Sequence, residues 1–264
     1  RGNFNKWELY RLLRSNDKLS KHLPETMYFN NTKDLITMLE RFGNVYLKGC
    51  NGSRGKQVLS VATLPEGGFE VRSFIQKNVA RKIHSIHELN KHISSCLNGK
   101  DVIIQQAIDL ITVDNRIADF RGELQRNGRG ELTITAIPVR IGKQYSPIST
   151  RGSSYPFEVF FQNIMNYSKE ETAKIKSCAE DFLVEIYTLV EQAYGPFGEL
   201  GIDIGLDNTG KLWFIECNAK SAKVSLYNTT SGETLQRASL NPLEYAKFLY
   251  SARLDDNALN FQVN

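Results

Sequence analysis

Two apolar-rich runs, Glu199–Leu206 and Lys211–Asn218, flank the turn Asp207-Asn208-Thr209-Gly210, and that pattern commits this part of the chain to a β-hairpin. If Leu206 pairs with Lys211, Asp203 faces Phe214 and Gly201 faces Glu216, so Asp203, Glu216 and Asn218 share one face. Asp203 and Glu216 are then diagonal neighbours about 7 Å apart, within reach of one or two magnesium-like cations that take oxygen ligands. Ile202, Ile204, Trp213 and Ile215 fill the opposite face as a buried side does. A merely solvated polar face is the structural alternative.

A second constellation is Lys48-Gly49-Cys50-Asn51-Gly52-Ser53-Arg54-Gly55-Lys56, a lysine at a strand end followed by a loop with three glycines. Such a loop can wrap phosphates, because glycine lets backbone amides approach an anion and lysine offsets its charge. It is not a Walker A loop: Gly49 to Gly55 is one residue too long, Gln57 stands where Ser or Thr is needed, and a strand follows rather than a helix. An ordinary solvated turn remains the competing reading. In a third segment, Asp119-Phe120-Arg121-Gly122-Glu123 leads through Asn127-Gly128 into a strand reaching Arg140. A two-residue Asn-Gly turn puts Asp119, Arg121 and Arg140 on one face, where two guanidiniums can hold phosphate or carboxylate oxygens; a one-residue slip at Gly130 would separate them.

The rest of the chain reads as mixed α+β. Asn5 and Glu8 mark a helix start that puts Lys6 at a helix N-terminus, and Thr32 is a candidate cap for a second helix. Ser168 and Glu171 form a capping box for a long helix ending at Gly195-Pro196, with Phe182, Leu183, Ile186 and Val190 on its apolar stripe. Pro242 to Tyr250 is read as a closing helix and 255–264 as loose. Thirty-three basic against 29 acidic residues, without sustained basic blocks, do not call for a nucleic-acid partner. No stretch is apolar enough for a membrane span. Cys50, Cys96, Cys178 and Cys217 form no Cys-x-x-Cys pair, which argues against zinc and disulfides and suits a cytoplasmic setting. His84, His87 and His92 lack a metal-ligand spacing. The chain opens at Arg1 rather than Met, so an upstream segment is expected.

Taken in order, Phe4-Asn5-Lys6-Trp7, Leu23-Pro24-Glu25-Thr26, Tyr46-Leu47-Lys48 with the Gly52–Lys56 loop, Ile104-Gln105-Gln106, Asp119-Phe120-Arg121 and Ile215-Glu216-Cys217-Asn218 make the chain resemble the ATP-grasp superfamily. Its YheC/YheD-type branch, the endospore coat-associated proteins, is the most similar. The resemblance implies two α+β lobes clasping ATP, an N-terminal lobe over 1–104 and a C-terminal lobe over 105–264, with Gly52, Ser53, Arg54, Gly55 and Lys56 in a lid over the phosphates. It implies Lys6 and Lys48 at the phosphates and the backbone of Gln105, Gln106, Ala107 and Ile108 at the adenine. Asp109 is implied at the ribose, and Asp203, Glu216 and Asn218 on Mg2+. Where related ligases carry an arginine two residues before the first metal aspartate, this chain has Gly201. The implied activity is a carboxylate-amine ligase acting through an acyl phosphate on an amino acid or peptide, with Arg121 and Arg140 as catalytic residues. A nucleotide-binding scaffold of the spore coat is the alternative.

Overall fold

The computed structural model describes residues 4–52, 58–73, 79–97, 99–144, 149 and 152–261. Asn5 starts α1 (Lys6–Arg14) by accepting the amide hydrogens of Trp7 and Glu8. Asn16 caps the short α2 (Asp17–Ser20) in the same way. A first sheet is built from β1 (Thr26–Tyr28), β2 (Asn44–Gly49), β3 (Val58–Thr63), β4 (Phe69–Ser73), β5 (Val79–Ile83) and β6 (Val102–Gln106), in the order β1-β6-β2-β3-β4-β5. Two helices cover one face of it, α3 (Thr32–Phe42) and α4 (Ile86–Leu97), and they bury Leu35, Met38, Leu39, Leu89, Ile93 and Leu97 against Val45, Leu47 and Ile104. The cap of α3 is Asn31 rather than Thr32, because Asn31 and Asp34 satisfy each other's backbone amides in a capping box. Strand side chains alternate between faces, so burial of Val45 and Leu47 under the helices turns Tyr46 and Lys48 to the other side.

The second sheet runs β11 (Ser153–Tyr155), β10 (Val139–Ile141), β8 (Arg116–Arg126), β12 (Glu199–Leu206) and β13 (Leu212–Asn218), with β7 (Thr112–Val113) and β9 (Leu132–Ala136) also paired to β8. Helix α5 (Lys169–Tyr194), capped by the expected Ser168–Glu171 box, packs Phe182, Leu183, Ile186 and Val190 into the core of this sheet. That core also takes Phe4, Leu9, Tyr10, Leu13, Leu19 and Leu23. The first two helices therefore pack with the second lobe, and the expected division at 104/105 falls inside β6. The short α6 (Val224–Tyr227) and α7 (Gly232–Phe261) close the chain, and the backbone of α7 stays helical where a loose tail was expected. Pro242 lies inside α7. It cannot bond the carbonyl of Ala238 four residues back, and Gln125 of β8 donates to that oxygen instead at 2.7 Å.

Both hairpins that carry the candidate site depart from the expected register, and both recover the expected faces for their charged residues, while Trp213 and Phe214 exchange faces. In β12–β13, Leu206 pairs with Leu212 and Ile204 with Phe214, one step from the expected pairing, so Phe214 joins the core instead of the carboxylate face. A bulge that leaves Ile215 unpaired then sets Asp203 directly opposite Glu216. In β8–β9 the loop is longer than the Asn-Gly turn: Asn127 N–H donates to Glu131 O, and Gly130 adopts a φ of 76°. Arg126 thus pairs with Leu132, a register that would put Arg140 on the wrong face. A second bulge, between Glu123 and Leu124, restores the parity, and Asp119 faces Arg140 across β8 and β10.

Candidate functional site

Between the two sheets lies a cleft enclosing about 1000 Å3 of space, part of it open to solvent, a size that suits a small organic ligand. One end is apolar, with Tyr46, Val58, Ile108, Leu110, Ile117, Trp213 and Ile215; the other is charged, with Lys6, Lys48, Asp119, Arg140, Asp203 and Glu216.

The charged end is built from strand parity. Asp119, Arg121 and Glu123 alternate along β8, Asp203 stands opposite Arg121, and Arg140 stands opposite Asp119. Arg121 grips Asp203 with two nitrogens, the Nη2 contact being 2.9 Å. Arg140 grips Asp119 at 2.7 and 2.8 Å and reaches Asp203 Oδ1 at 3.1 Å. Ser149 adds a hydroxyl to Asp119. Beyond Arg121 the order of charge continues to buried Glu123, which accepts from Ser221 at 2.6 Å. The result is an alternating ladder, Asp119, Arg140, Asp203, Arg121, Glu123, in which each inner charge has opposite charges on either side. Burial pushes the Asp203 carboxyl up, but Arg121 and Arg140 outweigh it and hold it below its usual value. Burial wins at Glu123, whose carboxyl is raised despite Arg121 and Ser221.

Gly201 explains itself here. A Cβ at this position would lie 2.8 Å from Arg121 Nη1 and 3.2 Å from Ser221 Oγ, so the arginine that related ligases carry on this strand would collide with the one reaching across from β8.

Lys6 reaches over from the start of α1 and ties the two lobes together, donating to Gly52 O at 2.6 Å and pairing with Glu216 Oε1 at 3.0 Å. Lys48 donates to Gln105 Oε1 at 2.6 Å. Burial lowers its ammonium pKa to about 8, helped by Lys6 and opposed by Glu216. At the junction of the lobes, the amide of Gln106 is spent on Glu25 O and that of Ala107 on Asn44 O, whereas Ile108 lines the cleft with no backbone acceptor for its own amide among the described residues.

The structure thus brings Lys6, Lys48, Gly52, Gln105, Gln106, Ile108, Arg140, Asp203 and Glu216 to one cleft. It does not bring all the expected residues there. Arg121 stands behind Asp203 rather than on the wall, because its guanidinium is used up by Asp203 and Ser221. Ala107 is off the wall, and Asp109 is exposed, accepting from Asn208 at 3.0 Å. Asn218 faces Gly201, beyond the cleft lining. Ser53, Arg54, Gly55 and Lys56 lie outside the described residues. Sequence reasoning missed the side chains of Gln105, Ser149 and Ile117, and it put Trp213 and Ile215 on the buried face, whereas the one-step slip and the bulge bring both to the cleft wall. Only the alternation of Tyr46 and Lys48 on their strand carried a signal for that wall.

For a magnesium ion the oxygen donor set is of the right chemical kind. Asp203 and Glu216 are direct cross-strand neighbours, and Glu216 has a single ion-pair partner, leaving its second oxygen free among the described residues. Asp203 fits less readily, since both its oxygens already carry guanidinium partners. Among the described residues no group of three His, Cys, Asp or Glu stands in metal-binding geometry, and no helix is long and apolar enough to cross a membrane.

The chain is 27% identical to the endospore coat-associated protein YheD of Bacillus subtilis (strain 168) over 252 residues, covering 93% of this chain and 54% of YheD. It is 21% identical to YheC of the same organism, covering 98% of this chain and 71% of that protein. The chain therefore spans about half the length of YheD. D-alanyl-alanine synthetase A from Vibrio cholerae O1 biovar eltor str. N16961 superposes with a TM-score of 0.53 at 13% identity, over 91% of this chain and 65% of that one. The ATP-grasp ligase PsnB, solved with a phosphomimetic variant of its minimal precursor, Mg and ADP, superposes with a TM-score of 0.52 at 12% identity, over 91% and 58%. At such identities the likeness speaks for the ATP-grasp fold. Residues 1–249 match the family described as YheC/D like ATP-grasp, and the chain belongs to that family.

Proposed function

We propose that this domain is an ATP- and magnesium-dependent carboxylate-amine ligase that works through an acyl phosphate, with an amino acid or peptide among its substrates. The observation that carries this reading is the polarity of the cleft, apolar where a nucleobase would stack and cationic where phosphates would lie. The Ile108 amide, which has no backbone acceptor among the described residues, would donate to the base edge, and Tyr46, Trp213 and Ile215 offer the base apolar surface. Lys6 and Lys48 would hold phosphate oxygens, and Arg140 would offset the charge that develops as a substrate carboxylate oxygen attacks the terminal phosphorus. In that step a P–O bond forms, the bond to the ADP oxygen breaks, and ADP leaves with the electron pair. An amine nitrogen then attacks the acyl carbon, phosphate departs, and the nitrogen loses its proton. Glu216, with Asn218 and Asp203 near it, would hold the divalent ion. Such an ion neutralises triphosphate charge and polarises the phosphoryl oxygens.

Product analysis with ATP, magnesium and a panel of amino acids and peptides tests the reading. The expected products are ADP and phosphate; stoichiometric AMP and pyrophosphate would exclude it. One observation favours a second reading, a nucleotide-binding scaffold of the spore coat: both oxygens of Asp203 are already engaged by arginines, and YheD and YheC are coat-associated by name. Tight MgATP binding with no turnover across the panel would favour that scaffold.

A further inference from the structure

Lys48 is held by a side chain that takes no other part in the cleft chemistry. Gln105 occupies the centre of three strands: β6 places it between Thr26 of β1 and Tyr46 of β2, directly opposite each. It is 7% exposed. Its Nε2 donates to Thr26 Oγ1 at 2.9 Å, and the Thr26 hydroxyl in turn donates to Pro24 O at 2.8 Å.

The direction of this chain is fixed by its ends. A carbonyl can only accept, so the Thr26 hydroxyl spends its hydrogen on Pro24 and must accept from Gln105. The amide nitrogen is therefore turned toward Thr26, and Oε1 is turned toward Lys48, which donates to it at 2.6 Å. The ring of Tyr46 lies 5.4 Å from the ammonium on the same face. Lys6 and Glu216 are the charged groups that act on it from the other lobe.

We infer that Gln105 is a positioning residue for phosphate binding: through the Pro24–Thr26–Gln105 chain it aims the Lys48 ammonium into the cleft without neutralising it. This rests on the reading of Lys48 as a phosphate contact. An acid here would be the same size but would pair with Lys48 and compete with phosphate for it. It would also require the Thr26 hydroxyl to leave Pro24. An aliphatic side chain would leave the ammonium without the hydrogen-bond acceptor that Gln105 supplies. A neutral amide satisfies one N–H and leaves the positive charge for the ligand.

The test compares the binding of ADP and of adenosine by calorimetry to the folded chain and to Gln105→Glu, Gln105→Leu and Lys48→Met. A loss of aim affects only the ligand that carries phosphates. A damaged sheet would weaken both ligands. The expected result is a fall of roughly tenfold or more in ADP affinity for both Gln105 variants, with adenosine affinity within about twofold of the parent. For Gln105→Glu the loss should match or exceed that of Gln105→Leu, although glutamate is the closer match in shape. If Lys48→Met binds ADP as the parent does, the phosphate reading of Lys48 falls and takes the inference with it. If Lys48→Met loses ADP affinity while both Gln105 variants keep it, or lose adenosine equally, the positioning role of Gln105 is overturned and the phosphate reading stands.

Discussion

Replacing Asp203 by Asn keeps the shape of the side chain and removes the charge that two buried guanidiniums share. Arg121 and Arg140 are only 14% and 13% exposed, and Asp203 6%, by side chain. At the 3.1 Å separation between Arg140 and Asp203, an effective dielectric near 20 gives a gross attraction of about 5 kcal/mol. Part of that is offset by the cost of desolvating the charges, and breaking one partner out of a buried pair costs about 3–5 kcal/mol in practice. Arg140 keeps Asp119, so the loss falls chiefly on Arg121, which keeps a long hydrogen bond to Ser221 at 3.5 Å and the charge of Glu123 beyond ion-pair distance. With about 2–4 °C per kcal/mol for a chain of this size, the melting temperature should fall by roughly 6–20 °C, nearer the lower bound. Differential scanning calorimetry measures it, with the exposed Glu131→Gln as a control that should melt with the parent. The pH dependence gives a second check. Because the folded carboxyl of Asp203 is held low, its contribution is fully present above the unfolded carboxylate value of about 4 and is lost as pH falls through the folded value. The gap between parent and variant should then be constant from pH 5 to 8. A fall under about 2 °C, or a gap that changes between pH 6 and 8, would refute the account of the ladder.

Three further outcomes follow from the same geometry. The Lys48 ammonium, lowered to about 8 by burial, should be driven back to its charged form by a phosphate ligand, so ADP affinity should be level below pH 8 and decline as pH rises above it; calorimetry across pH 7 to 9.5 checks this, and a level profile counts against Lys48 at the phosphates. Gly201→Ala should lower stability by about 1–3 kcal/mol in chemical denaturation, since its Cβ would sit 2.8 Å from Arg121 Nη1. Glu216→Ala should abolish the gain in ADP affinity that magnesium brings, while affinity measured in chelator holds or rises because Lys6 loses its ion-pair partner.

Local signals in the sequence transferred well where a single residue decides the outcome. Asn5 before α1 and Ser168 with Glu171 before α5 cap the helices as read, because a cap depends only on a few neighbouring amides. Pairing register did not transfer. The extra residue at Ile215 looks like any other apolar strand residue, and nothing in the alternation of β13 marks it as unpaired. The carboxylates nevertheless met on one face, because a one-step slip and a one-residue bulge cancel in parity. The placements of Trp213 and Phe214 did not survive, since both lie on the turn side of the bulge, where only the slip acts. Helix α7 runs through Pro242 instead of starting there, and it can do so because a donor from another element, Gln125, takes over the orphaned carbonyl. The side of α1 was also out of reach, since an amphipathic face says that a helix is covered and not by what.

The charges of the cleft argue for what must enter it together. Among the described residues on the cleft wall, Lys6, Lys48 and Arg140 stand against Asp119, Asp203 and Glu216, three cations to three anions, while Arg121 and Glu123 face each other behind it, so the site by itself is close to neutral. A nucleoside triphosphate brings roughly four negative charges, which would leave an excess of about four in a partly desolvated space where such an excess is costly. A divalent cation would remove about two of them and takes oxygen ligands, and Glu216 is the carboxylate with an oxygen to spare among the described residues. On the proposed reading, taking Lys6 onto the phosphates would release Glu216 in the same movement, since that ammonium is its ion-pair partner among the described residues. Nucleotide and metal would then be linked through Lys6: each would make room for the other, and neither would be well accommodated by the resting pairs alone.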